Sequence, residues 1–176
     1  MLRLCKPLIE YRSAFYKMAY DYMNSSDLDK RYYKIIEKKQ FEFSKYIKML
    51  NNHSRGINLP EGLTPYDTFW MMEDDRRSIY AVSRLRHRLN EISLKEGGHI
   101  GYDVPPSMRR KGYATELLRL TLEKAADMGI RKVLVTCDSD NEWSARVIVK
   151  NGGVFENQME SDYSGKMVNR YWISNN

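Results

Sequence analysis

The sequence predicts an α/β fold of the α+β kind, with one mostly antiparallel central sheet of about six to seven strands covered by helices. Three observations point there. Alternating, β-branched and aromatic runs crowd the middle of the chain after Thr68. Beyond them, segments of helical and strand period take turns. One of those strands, "KVLVTC", is almost wholly apolar, as a strand buried on both faces is.

Taken in order, residues 2 to 5 alternate Leu, Arg, Leu, Cys and read as a short strand. Pro7 is well placed to open a helix, and Leu8, Tyr11, Phe15, Met18, Ala19 and Tyr22 follow at helical spacing. A second helix is expected from Ser26, with Asp29 completing an imperfect capping box and Tyr32, Ile36, Phe43, Ile47 and Leu50 turned inward. "NNHSRGINLPEGLTP" is loop by composition. "TFWMM", "EDDRR" and "SIYAVSRLRHR" read as a hairpin, with Arg84, Arg86 and Arg88 on one face and Ser83, Leu85 and His87 on the other. A polar connector leads to the strand "GGHIGYDV", which Pro105 and Pro106 stop. A helix starting near Gly112 carries Ala114, Leu117, Leu118, Thr121 and Ala125 on one face and ends at Gly129. After "KVLVTC" come a shorter helix from about Asn141 to Asn151 and two strands, "VFEN" and "KMVNRYWI".

A chain of 176 residues is read as one domain, residues 1 to 176, long enough for a real core. Its net charge of +6 fits either a solvated basic surface or an anionic ligand, whether cofactor, nucleic acid or membrane surface. Cys5 and Cys137 are too few for a disulfide framework and lack metal-ligand spacing, so a reducing, cytoplasmic setting and no metal are expected. No apolar run reaches the roughly 18 residues of a membrane span. "MLRLCKPLIEY" meets a proline too early to read as a signal peptide.

The stretch "DVPPSMRRKGYATELL" carries the chemistry. The first N–H groups of a helix lack internal partners and sit at the positive end of the peptide dipoles, which suits a phosphate. Gly112 removes the Cβ that would hold a ligand off the backbone, and Arg109, Arg110 and Lys111 add charge. No Walker A pattern is present, and Gly97, Gly98 and Gly101 precede a strand, as a hairpin end would. What remains is Arg109-x-x-Gly112-x-Ala114.

With "HIGYDVPP" before it and "KVLVTCDSDN" and "NEWSARVIVKNGGVFEN" after it, that pattern makes residues 99 to 157 resemble the cofactor-binding core of the GNAT superfamily of N-acetyltransferases. With "LRHRLN" and "NRYWI", the whole chain resembles an uncharacterised bacterial branch of predicted acetyltransferases. The resemblance implies acetyl-coenzyme A as cosubstrate, lying in a splayed gap between the "HIGYDV" and "KVLVTC" strands. It implies pantetheine pairing near Tyr102, Asp103 and Val104, and pyrophosphate at Arg109, Arg110, Lys111, Gly112, Tyr113 and Ala114, although Tyr113 and Leu117 also suit a core. Asn141 matches the family Asn on the cofactor arm, with Ser144 and Lys150 on the same helix; helix capping and surface solvation are the alternatives for Asn141 and Ser144. The acceptor, by the same resemblance, is a primary amine of a small molecule or peptide, shaped by the helices of residues 7 to 50. Nucleic acid and membrane are not expected partners, and the chain is expected as a monomer or homodimer.

Acetyl transfer to an amine needs a base, because a lysine-like amine with pKa about 10.4 is mostly protonated near neutrality. Asp138 and Asp140 after "KVLVTC", His87, Glu91, and His99 at the start of its strand are the candidates; the aspartates also suit a turn and the histidines a packed or surface site. Many family members carry a Tyr acid four residues after the position of Ser144, but Ile148 stands there, leaving Tyr102, Tyr163 or water. Cys137 as a nucleophile competes with plain packing. Arg84, Arg86 and Arg88 suit an acidic acceptor or a solvated strand face. The departure at Ile148 keeps a second reading alive, a non-catalytic acyl-coenzyme A sensor or regulatory module. A nucleic-acid-binding domain rests on the basic balance alone.

Overall fold

Among the described residues seven strands form, in the expected α+β arrangement, as a four-stranded and a three-stranded antiparallel sheet that meet at His99 and Leu134 and splay apart beyond. The structure, a computed structural model, describes residues 1–26, 31–162 and 164–175. The first sheet holds β1 (Arg3–Cys5), β2 (Tyr66–Met72), β3 (Ile79–Arg86) and β4 (Ile100–Asp103) in that order, with antiparallel neighbours. The second holds β5 (Lys132–Asp138), β6 (Gly153–Glu160) and β7 (Met167–Ser174) in the order β5-β7-β6, again antiparallel. The helices are α1 (Arg12–Met23), α2 (Arg31–Ile36), α3 (Phe43–Ser54), α4 (Glu91–Lys95), α5 (Tyr113–Asp127) and α6 (Glu142–Lys150).

Register assigns the faces. Val82 and Arg84 stand opposite Asp103 and Gly101, while Ser83 and Leu85 stand opposite Tyr102 and Ile100. Val82 joins Trp70, Phe15 and Phe43 in the core beneath α1 and α3. Ser83 takes a hydrogen bond from Thr121 of α5 at 2.9 Å, so the alternate residues face α5. On β5, Val133, Val135 and Cys137 pack with Leu118 of α5 and Ile148 of α6, which turns Thr136 and Asp138 the other way.

The helix expected from Ser26 to Leu50 is instead two, α2 and α3, and the Asp29 half of its cap lies outside the described residues. Residues two apart on one helix point about 200° apart, so a continuous helix could not turn both Phe41 and Phe43 inward. Broken at the polar run 37–40, the chain brings both to Phe15, with ring centroids at 6.2 and 5.2 Å. Leu8 does not join the buried face of α1. It is exposed, and a 3₁₀ turn at Ile9–Tyr11 precedes that helix. Part of the polar connector is α4, whose N-terminus is closed by a reciprocal Asn90–Ser93 capping box. β3 ends at Arg86, so Arg88 lies beyond the strand and is exposed rather than sharing its face.

Gly97 and Gly98 are not a hairpin end. They turn the chain from α4 into β4 and let it meet β5 closely: a Cβ on Gly98, at φ +58°, would overlap the Leu134 carbonyl. His99 extends that contact. Its N–H donates to Leu134 O at 2.7 Å, and its Nδ1 accepts from Leu134 N–H at 2.9 Å. Past this point the strands separate.

Candidate active site

Where β4 and β5 part, a cleft of about 1200 Å³ opens between the two sheets. It is lined from both sheet faces. Tyr102, Cys137 and Ser144 stand on the side of α5 and α6, and Arg84, Asp103, Asp138 and Lys166 on the other.

At one end lies the loop before α5. Arg110 and Gly112 both take left-handed backbone, φ +62° and +84°, and Gly112 is the N-cap of α5 with no side-chain cap bond. An imagined Cβ on Gly112 meets nothing within 4 Å, so the space over the first turn is open. Successive backbone N–H groups in such a turn form an anion-binding concavity at the positive helix end. The neighbouring cations divide their work. Arg109 Nε donates to Val104 O at 3.0 Å and Lys111 Nζ to Ser107 O at 2.8 Å, so both brace the loop. Arg110 instead lies over the Trp143 ring, 5.6 Å from its centroid. Ser107 ties the loop to α1 through two bonds to Asp21, at 3.0 and 2.9 Å.

Across the middle of the cleft, Tyr102 Oη and Ser144 Oγ are 2.6 Å apart. Burial pushes the Tyr102 phenol up to about 12, so it keeps its proton at neutral pH. Burial, with Asp138 nearby, pushes the Cys137 thiol up to about 11. A neutral thiol is a poor nucleophile, which leaves Cys137 as packing beside Ser144. Asn141 caps α6, accepting from Ser144 N–H at 3.0 Å, which fixes the first turn that carries Ser144.

On the opposite face, Arg84 donates to Asp103 at 2.5 Å and to Tyr32 at 3.1 Å, and Tyr32 donates to Asp103 at 3.0 Å. Burial works against the Arg84 charge, but Tyr32 and Asp103 hold it firmly in place. The sequence placed Arg84 on a solvated face or against an acidic acceptor; it lines the cleft in this network. Arg86 donates to the carbonyls of Gly97 and Gly98, both at 3.0 Å, fastening the turn into β4. Asp138 meets Lys166 at 3.5 Å.

Of the residues singled out from the sequence, Tyr102, Asp103, Val104, Arg109, Arg110, Gly112, Tyr113, Ala114, Asp138, Asn141, Ser144 and Lys150 line the cleft. Lys111 does not, and neither do His87 and Glu91. His87 faces Asp67 at 3.6 Å, in a group with Lys6 and Ser54, and Glu91 opens α4 exposed. His99 is held as the hinge acceptor; burial, with Arg86 adding to it, lowers its pKa to about 4. Tyr163 lies outside the described residues. Ile148 is fully buried against Leu118 and Cys137. Sequence reasoning missed Tyr32, whose only signal was its place on an inward helix face. It also missed Trp143 and Arg146, whose three-residue spacing put them on one face of a helix.

A family profile described as an acetyltransferase (GNAT) domain matches residues 14–154, most of the chain. The chain belongs to the GNAT acetyltransferase family. GNAT neighbours among solved structures cover nearly all of it. RimL, a ribosomal alpha-N-protein acetyltransferase in complex with coenzyme A, superposes with a TM-score of 0.67 at 19% identity, over 98% of this chain and 93% of that one. A spermidine N-acetyltransferase SpeG chimera from Vibrio cholerae and hSSAT gives 0.66 at 14%, over 99% and 95%. The acetyltransferase yncA from Salmonella typhimurium, with its cofactor acetyl-CoA, gives 0.61 at 12%, over 99% and 94%. Curated protein sequences give no match. At these identities the neighbours establish the GNAT fold, with its two-part sheet and interstrand gap.

Proposed function

We propose that this GNAT protein is an acetyl-coenzyme A-dependent N-acetyltransferase whose acceptor is a primary amine of a small molecule or peptide. The observation that carries the reading is the cleft itself, an open anion cradle at Gly112 joined to a proton-bearing Tyr102. The residues fit the cosubstrate. The first N–H groups of α5 would hold its pyrophosphate, and β4 where it lines the cleft, at Tyr102 to Val104, would hold its pantetheine arm. When bound, it supplies a thioester from which the amine nitrogen takes the acetyl group as the carbon–sulfur bond breaks.

The protein's own groups divide between the two faces of the cleft. Tyr102 Oη, held by Ser144, donates a proton to the departing sulfur from the α5–α6 side. Burial keeps it protonated, as a proton donor must be, and it takes the part that Ile148 cannot play. Asp138, on the opposite side, accepts a hydrogen bond from the incoming amine and draws its proton away, directly or through water. Holding both reactants in register is worth roughly 7–11 kcal/mol of barrier when geometry is good.

The test is thiol release from acetyl-coenzyme A with a panel of polyamines, amino sugars and short peptides with free N termini. At least one amine is expected to drive turnover, and Tyr102→Phe to lower kcat about 100-fold while coenzyme A binding stays within about threefold. Binding without turnover on any amine makes the protein a sensor instead. Unchanged kcat in Tyr102→Phe removes the assigned acid.

A further inference from the structure

Three tryptophans occur in the chain, and one is out of place for a hydrophobic side chain. Trp70 is fully buried, but Trp143, the second residue of α6, is 65% exposed. Two arginines lie over its ring, Arg110 at 5.6 Å and Arg146 at 5.3 Å from the centroid. Arg146 comes from the next turn of α6 and also meets Glu142 at 3.1 Å, which by itself a solvated helix face would explain. Arg110 crosses from the loop before α5, and it does so from left-handed backbone at φ +62°. That conformation is disfavoured for a residue with a Cβ, so the loop holds the guanidinium there against a local penalty. All three side chains line the cleft beside the Gly112 cradle.

An exposed indole with two guanidiniums, next to an anion site, is built for a flat aromatic ring bearing phosphate. Every nucleobase has a π face that stacks on an aromatic side chain, and arginine grips phosphate with paired N–H donors. We propose that Trp143, Arg110 and Arg146 form the binding site for the nucleotide end of the cosubstrate. The adenine stacks on the indole in place of one guanidinium, and the released arginine turns to the 3′-phosphate. The Gly112 cradle then reads the pyrophosphate and this platform reads the 3′-phosphate, so the protein selects coenzyme A over forms that lack it. This rests on acetyl-coenzyme A being the donor; it does not depend on the acceptor.

The platform can be read by fluorescence and calorimetry on the full chain, without turnover. Coenzyme A is expected to quench tryptophan emission, because Trp143 is the exposed indole, and Trp143→Ala to abolish the quench. The same variant is expected to bind coenzyme A about tenfold more weakly, with affinity for S-acetylpantetheine, which has no nucleotide, within twofold of the parent. Trp143→Phe, keeping a flat ring, recovers most of the affinity. The parent is expected to prefer coenzyme A to dephospho-coenzyme A about tenfold, and the double variant Arg110→Gln, Arg146→Gln to bring the two near parity. Unchanged affinity in Trp143→Ala, or an intact preference in the double variant, overturns the platform and leaves the donor reading standing. A parent chain that binds neither coenzyme A nor S-acetylpantetheine overturns both.

Discussion

Just before its first residue β4 is fastened to β5, and within a few residues the two have parted. The fastened end, residues 97 to 99 against 134 to 136, is dense with direct bonds: His99 exchanges two with Leu134, Gly97 N–H donates to Thr136, and Arg86 holds both glycine carbonyls. At the parted end, Tyr102 and Ser144 are joined by side-chain hydroxyls across a cleft. Backbone groups left unpaired in a sheet are a liability unless something else satisfies them. The pinned end makes the gap tolerable, and under the proposed function the gap is where an extended cosubstrate would lie. Stability and ligand binding should therefore separate along a single strand pair.

The sharpest way to break that separation is Gly98→Ala. A Cβ at left-handed φ would meet the Leu134 carbonyl, and strain plus overlap is expected to destabilise by about 3 kcal/mol or more. Urea unfolding measures it; a parent-like midpoint means the strands do not touch there. Next is the pH dependence of His99. Its folded pKa, about 4, lies below the unfolded value near 6.5, so the unfolded chain binds more protons between them and stability falls as pH drops through that window. From pH 7 to pH 5 this amounts to about 2 kcal/mol, in the same direction as the lowered pKa of buried His53. His99→Asn, whose side-chain oxygen still accepts the Leu134 N–H, is expected to flatten the slope. A slope unchanged in that variant moves the effect away from the hinge.

At the parted end the expected effect is smaller and falls on binding. Gly112→Ala places a Cβ in the open cradle and burdens a left-handed position, weakening coenzyme A about tenfold. Calorimetry on the folded variant measures it. A loss of stability without loss of affinity would mean that the glycine serves the turn and not the ligand.

Much of this was legible in the chain. The seven strands, the helix after Gly112 and its glycine stop follow from apolar period and from glycine and proline, which act through local sterics. The cradle was readable for the same reason, since a helix N-terminus is built from consecutive residues. The break between α2 and α3 was not, because only Phe15, distant in sequence, explains why Phe41 and Phe43 both turn inward. Nor was the division of the loop's cations, where Arg109 and Lys111 fold back onto carbonyls and Arg110 reaches Trp143.

By itself the sequence determined where the strands and the helices after Gly112 lie, where the anion-binding turn is and which family the chain resembles. All of these depend on residues within a few positions of one another. Only the tertiary structure decided that His99 pins the near end of the expected gap, that Tyr102 meets Ser144, that Arg84 joins Asp103 and Tyr32, and that His87 and Glu91 stand away from the cleft. Those contacts join residues 19 to 71 positions apart. Period and composition carry no record of such pairings, because the close packing of whole elements sets them.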